Sequence, residues 1–241
     1  MVVELRAKPR AVAGLMPVSM VDWEGKLAAI IFLSGCNLRC PYCHNPELIK
    51  KDGGSSLPWE KVVGQLSEKK GWVDGVVITG GEPTICDDLI DIAGEIRSAG
   101  FPVKLDTNGT HPEVVKGLIE KSLIDFVAMD VKAAFKNYDI VTRVRGQAAK
   151  VKETIELIET AGIDHEYRTT IVPGFVGDDD IVEIAKYLSA HGARRYFIQQ
   201  FNSGTVLEAN LRAVHPFPPA YVQAVADRAN EFLPTKARGI S

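Results

Sequence analysis

The stretch Ala28-Ala29-Ile30-Ile31-Phe32-Leu33-Ser34-Gly35-Cys36-Asn37-Leu38-Arg39-Cys40-Pro41-Tyr42-Cys43 joins an apolar run to three cysteines within eight residues. The run reads as a buried strand, and Gly35, Asn37 and Pro41 suit a tight, non-helical loop at its carboxyl end. Thiolates that return to one place over so short a loop suit an iron–sulfur cluster with three protein ligands. A cubane normally takes four, so one iron is left for something other than the protein, as a catalytic zinc site keeps one position open. The competing reading is zinc held by Cys36, Cys40, Cys43 and His44. Against it, His44 directly follows Cys43, and adjacent side chains rarely point at one tetrahedral ion. A disulfide scaffold is set aside because the chain shows no signal-peptide pattern and no long apolar run, which points to a reducing cytoplasm. The fourth cysteine, Cys86, reads as a small buried hydrophobe, or else as the fourth thiolate of an electron carrier.

Outward from this loop, short β-branched runs alternate with segments of helical periodicity, the pattern of a βα fold. Strands are expected at 28–33, 75–79, 103–106, 126–131, 166–172 and 196–201. Between them, Leu89/Ile92/Ala93/Ile96, Val114/Val115/Leu118, Val151/Ile155/Ile158 and Ile181/Ile184/Ala185/Leu188 each make one apolar helix face. Pro58 and Pro112 sit where helices begin, and Pro216, Pro218 and Pro219 lead into a last helix over 221–232. The N-terminal stretch carries no clear pattern. The cysteine loop, Gly80-Gly81-Glu82-Pro83, Thr107-Asn108-Gly109 and Pro173-Gly174 all follow strands, so the site is expected above the carboxyl ends of the sheet.

With 241 residues, 46% hydrophobic, the chain can bury a core in one domain, and no linker divides it. A net charge of −3 leaves no electrostatic footprint for nucleic acid, which is disfavoured as a partner, as is a membrane.

Cys36-x3-Cys40-x2-Cys43 with Tyr42 before the last cysteine, followed by Gly80-Gly81-Glu82-Pro83, resembles the radical S-adenosylmethionine (radical SAM) superfamily. Asp22-Trp23-Glu24-Gly25-Lys26 ahead of the cysteine loop looks like the glycyl-radical-enzyme activases. Within them the chain is most similar to the longer form of the activating protein of anaerobic ribonucleoside-triphosphate reductase. Asp106-Thr107-Asn108-Gly109, Met129-Asp130-Val131-Lys132 and Arg168 to Gly174 continue the likeness, which runs from about Gly14 to Phe201. Glu24 departs from the usual proline, at a position expected to affect turn geometry only.

The resemblance implies a partial (β/α)6 TIM-like barrel, a single domain over 1–241 with a core at about 14–201 and a C-terminal loop and helix at 202–241. It implies a [4Fe-4S] cluster on Cys36, Cys40 and Cys43 whose open iron takes the amino and carboxylate groups of S-adenosyl-L-methionine. One electron then cleaves the sulfonium, and a 5′-deoxyadenosyl radical abstracts hydrogen from the substrate; in activases that hydrogen belongs to a glycine of a partner enzyme. Gly80 and Gly81 are expected to let backbone approach the methionine moiety, Glu82 to accept from its ammonium group, and Tyr42 to lie near the adenine. Lys132 and Arg168 are directed towards the cofactor's carboxylate or ribose. Asp106 and Asp130 hold a monovalent cation or orient those groups, and Thr107 and Asn108 bond the ribose or make the turn. No catalytic side chain is assigned beyond the cluster.

Six βα units do not close a barrel and little C-terminal sequence covers the gap, so a lateral opening for a peptide loop of a glycyl radical enzyme is expected. The electron donor is expected to be a reduced flavodoxin- or ferredoxin-type protein. Other readings are an activase of the pyruvate formate-lyase type, a small-molecule enzyme such as 7-carboxy-7-deazaguanine synthase, and a non-enzymatic iron–sulfur carrier or zinc-binding module.

Overall fold

The computed structural model describes residues 12–50 and 57–240; residues 1–11, 51–56 and 241 of the expected single domain lie outside it. Eight strands form one sheet in the order of the chain. They are β1 (Val12–Ser19), β2 (Ala28–Leu33), β3 (Gly75–Gly80), β4 (Val103–Thr107), β5 (Phe126–Asp130), β6 (Asp164–Ile171), β7 (Tyr196–Gln200) and β8 (Thr235–Arg238). Only β1 runs antiparallel to its neighbour; β2 to β8 are parallel. The helices are α1 (Trp59–Glu68), α2 (Leu89–Ser98), α3 (Pro112–Glu120), α4 (Tyr138–Thr142), α5 (Gln147–Ala161), α6 (Asp178–Ala190) and α7 (Pro219–Asn230). Six strands lie where the sequence places them, and the sheet stays open, as a partial barrel of the βα type.

Alternation along each strand separates two environments. Ala29, Ile31, Val76, Ile78, Leu105 and Val127 belong to the large core shared with the helices. There Leu89, Ile92, Ala93 and Ile96 of α2 and Ile181, Ile184, Ala185 and Leu188 of α6 are fully buried, each large side chain contributing about 1.5–3 kcal/mol. The other face of the strands, the barrel interior, is apolar near their amino ends, where Ala28, Ile30, Val77, Phe126 and Ala128 pack with Trp23. Closer to the carboxyl ends the interior becomes charged, with Arg168 paired to both Asp106 and Asp130.

Both ends of the sheet differ from the sequence reading. The unassigned N-terminal stretch includes β1, whose pairing with β2 is irregular between Val12 and Gly14 and between Met16 and Ser19. Pro17 is tolerated there because an edge strand leaves one side of its ladder unpaired. The C-terminal segment supplies not only a loop and helix but also β8, which pairs Thr235 with Tyr196 and Arg238 with Gln199. The segment thus extends the sheet on the side where a gap was expected. Thr-Lys-Ala-Arg has little strand propensity, and only its pairing partner makes it a strand. No helix among the described residues is long and apolar enough to cross a membrane.

Candidate active site

Strand β2 ends at Leu33 and hands the chain to the cysteine loop, which backbone bonds hold from several sides. Gly35 N donates to Leu48 O at 2.7 Å, Cys36 N to Ile49 O at 3.0 Å, and Arg39 N to Thr142 O at 2.9 Å. The Arg39 guanidinium donates to the carbonyls of Cys36 and Leu38, and Glu208 N donates to Pro41 O. The thiols of Cys36, Cys40 and Cys43 form no disulfide and face one cavity at the carboxyl ends of the strands. Burial pushes the Cys36 thiol up to about 11 and the Cys40 thiol up to about 12. Both are therefore neutral near pH 7 until a metal displaces the proton, which makes metal loading pH-dependent.

The three-thiol set suits a cubane, which presents a separate iron to each thiolate. Among the described residues, no group of three or more His, Cys, Asp or Glu is arranged to hold a single metal ion, so the zinc site with His44 finds no support in the geometry. Cys86 does not line the cavity.

The loop after β3 adjoins the cysteine loop, and its two glycines are required by the packing of the two loops. A Cβ on Gly80 would lie 2.1 Å from Leu33 O and one on Gly81 would lie 2.1 Å from Gly35 O. Gly80 also has φ +132°, open to glycine alone. Gly81 N donates to Leu33 O and Glu82 N to Gly35 O. The glycines thus allow this loop to lie on the cysteine loop itself.

Glu82 is buried, and four donors already converge on its carboxylate. Oε1 accepts from Thr84 N at 3.0 Å, Thr84 Oγ1 at 2.5 Å and Thr107 Oγ1 at 2.7 Å; Oε2 accepts from Asn108 N at 2.6 Å. Burial raises its pKa while these donors oppose the rise. The carboxylate is thereby a strut between β3 and β4, and Glu82 also lines the cavity. Thr107 and Asn108 are drawn into the same network: Asn108 Nδ2 donates to Asn37 Oδ1 at 2.9 Å, and Asn37 Nδ2 to Thr110 Oγ1 at 2.7 Å. The sequence reading does not single out Asn37, Thr84 or Thr110 as site residues: no local pattern announces the contacts of Asn37 across 71 and 73 positions, and Thr84 reads only as part of the turn after Glu82.

Lys132 follows β5 and is fixed at both its backbone and its ammonium. Tyr42 Oη donates to Lys132 O at 3.1 Å, Lys132 N donates to Tyr138 Oη at 3.3 Å, and Lys132 Nζ donates to Asp130 Oδ2 at 2.9 Å. Burial opposes the charged ammonium, but Asp130 outweighs it and raises the pKa. Tyr42 therefore shapes the cavity through Lys132 as well as through its ring.

Arg168 is the expected residue that does not line the cavity. It lies behind the wall, donating to Asp130 Oδ1 at 2.8 Å and Asp106 Oδ2 at 3.2 Å. Its guanidinium stands between the two carboxylates where a monovalent cation was expected. Thr170 and Gln199, which the sequence did not single out as site residues, complete the cavity from β6 and β7.

Burial alone would raise the Asp130 pKa, but Arg168 and Lys132 hold it down at about 2 against an ordinary 3.8. A depressed carboxylate adds stability that is complete above pH 3.8 and is lost as pH falls through 2. That contribution amounts to about 2 kcal/mol near pH 6 and about half as much at pH 3. The stability gap between the metal-free protein and Asp130→Asn, measured by urea unfolding, is expected to narrow accordingly between pH 6 and pH 3; a constant gap would contradict the pairing.

A sequence profile of the radical SAM superfamily matches residues 30–188. The chain is 40% identical over 196 residues, 79% of each chain, to a protein of Methanocaldococcus jannaschii provisionally named a glycyl-radical enzyme activating enzyme. It is 30% identical over 166 residues, 65% of this chain and 66% of the relative, to the pyruvate formate-lyase-activating enzyme of Clostridium pasteurianum. Among solved structures, Streptococcus suis SuiB bound to precursor peptide SuiA superposes with a TM-score of 0.68 at 16% identity, over 87% of this chain and 48% of that chain. That last likeness is one of fold.

Proposed function

The chain belongs to the radical SAM superfamily, in its glycyl-radical-enzyme activating branch, and from that premise we propose that it installs a glycyl radical on a partner enzyme. The family uses a [4Fe-4S] cluster and S-adenosylmethionine. The observation that carries the reading is the cavity itself, lined by three free thiols, the adjoining Gly80-Gly81-Glu82 loop and Lys132. Cys36, Cys40 and Cys43 would hold the cluster and leave one iron for the cofactor. When bound, the cluster and S-adenosylmethionine supply a one-electron cleavage whose adenosyl radical removes hydrogen from the substrate.

The protein's part is to bind, orient and exclude water. Lys132, held by Asp130 and two tyrosines, offers a fixed positive charge to the methionine carboxylate. The backbone of the loop after β3 borders the ligand amino group, and Glu82 keeps that loop in register with β4. Tyr42, Thr170 and Gln199 close the cavity around the remaining surface. We assign anaerobic ribonucleoside-triphosphate reductase as the partner, on the likeness of the cysteine loop and its flanks, and a reduced flavodoxin- or ferredoxin-type protein as donor.

The test is anaerobic reconstitution with iron and sulfide, reduction with dithionite and chromatography after adding S-adenosylmethionine, alone and with the reductase. The expected result is 5′-deoxyadenosine and methionine, with a glycyl radical seen by electron paramagnetic resonance only when the reductase is present. Cleavage with a radical on pyruvate formate-lyase instead would move the partner assignment. Zinc retained in place of a buildable cluster would overturn the reading.

A further inference from the structure

Seven charged side chains run in contact from the C-terminal strand to the cavity wall. Arg238 on β8 grips both oxygens of Glu166 on β6, at 3.0 Å each. Arg168, two residues further and so on the same face of β6, stands 3.9 Å from Glu166 Oε1 while bonding Asp130 and Asp106. Lys104 on β4 lies 3.5 Å from Asp106 and 3.9 Å from Glu166. The row ends where Asp130 bonds Lys132. Glu166 and Lys104 are almost sealed, at 4% and 3% side-chain exposure, and both border a small cavity with Trp23 and Phe126. Arg238 lies beyond residues 30–188, outside the span of the family profile.

The energetics of this row are those of a buried carboxylate shared among cations. Burial would raise the Glu166 pKa, yet Arg238, Lys104 and Arg168 hold it below its ordinary value. Without the Arg238 guanidinium, Glu166 keeps only the two cations at 3.9 Å. An unpaired buried charge is costly, so one of them must close in. Lys104 is tied to the Asp22 carbonyl and to Asp106, whereas Arg168 has a long, jointed side chain already beside Glu166. The Arg168 nitrogen nearest Glu166 is the one that bonds Asp106, so closing on Glu166 loosens that bond and, as the rigid guanidinium shifts, draws Nε back from Asp130, leaving Lys132 to balance more of that carboxylate's charge.

We propose that Arg238 and Glu166 are positioning residues that keep Arg168 on Asp130 and thereby set the charge Lys132 presents to the cavity. The C-terminal strand then tunes the site without touching a ligand. The statement about Lys132 stands by itself; its effect on S-adenosylmethionine rests on the functional reading above.

The experiment is competitive labelling of lysines with trace acetic anhydride at pH 8, read by mass spectrometry on the full chain without cluster or ligand. In Arg238→Met the Lys132 ammonium is expected to rise in pKa by about 0.5–1, lowering its labelling roughly three- to tenfold, while exposed Lys61 and Lys116 are labelled as before. In the double variant Glu166→Gln/Arg238→Met, where no carboxylate remains to draw Arg168, Lys132 labelling is expected to return to the wild-type level. If Arg238→Met fails to fold, Arg238→Lys, which cannot grip both oxygens, takes its place. In parallel, calorimetry of S-adenosylmethionine on the cluster-loaded proteins should show binding weakened by a similar factor in the single variant and restored in the double. Unchanged Lys132 labelling in the folded single variant, or no recovery in the double, overturns the proposal. Labelling that shifts and recovers while no protein, wild type included, binds S-adenosylmethionine upholds the positioning role and overturns the functional reading.

Discussion

Cys40→Ala is expected to abolish the cluster. Cys40 is the middle thiol of the three, 7% exposed, and its neighbours are fixed by the backbone bonds of the loop, so no other sulfur can move into its place. Loss of groups that merely support a ligand already costs about 10–100-fold in metal affinity. Loss of the ligand itself is therefore expected to lower S-adenosylmethionine cleavage by more than about 100-fold. Iron and sulfide content after anaerobic reconstitution, with the visible absorption of the cluster, reads the first effect, and 5′-deoxyadenosine formation reads the second. The fold should survive, since alanine at this buried position removes one sulfur and introduces no polar group; far-ultraviolet circular dichroism checks this. Cys86→Ala is the matched control and should keep its cluster. A cluster retained in Cys40→Ala and lost in Cys86→Ala would reverse the ligand assignment.

Gly81→Ala is expected to be strongly destabilising although its backbone conformation is open to alanine. The new Cβ would sit 2.1 Å from Gly35 O, 2.7 Å from Gly35 C and 2.9 Å from Leu48 O, and all three are backbone atoms. None can withdraw alone. Gly35 N is bonded to Leu48 O, and Gly35 O accepts from Glu82 N at 2.8 Å, so relief requires the two loops to part. The cost is expected at about 3 kcal/mol or more, which for a chain of this size lowers the thermal midpoint by roughly 6–12 °C. Cluster yield should fall with it because the same displacement carries Cys36. Gly117→Ala on α3 is the contrast: its Cβ would meet nothing within 4 Å, and the expected change is neutral or stabilising by up to about 1 kcal/mol. Equal midpoints for the two variants would show that the loops have more freedom than their contacts allow.

How far the site was legible in the sequence follows from how local each signal is. Ala28–Leu33 and Tyr196–Gln200 are continuous apolar or aromatic runs, and such runs read as strands without reference to their partners. Strand β8 has no such run and was missed, and β1 was obscured by Gly14 and Pro17. The placement of Tyr42, Asp106, Asp130 and Lys132 on one cavity follows from their positions at or near strand ends, which the βα pattern brings together. Arg168, expected to point towards the cofactor, lies behind the cavity. Its strand continues past it to Thr170, so the position one step higher on the same face belongs to the threonine. That Glu82 also braces β3 against β4 is not legible in the sequence, because its donors there, Thr107 and Asn108, stand 25 and 26 residues away.

The sequence by itself determined the three-thiol loop, the alternation of strand and helix, and the end of the sheet at which the chemistry gathers. These depend on spacing and periodicity, which act over a few residues. Only the tertiary structure decided which carboxylate meets which donor: Glu82 with the Asn108 amide, Asp130 with Arg168, and Glu166 with Arg238 across 72 positions. Such pairings are set by strand register, in which a shift of one residue would turn every side chain to the opposite face.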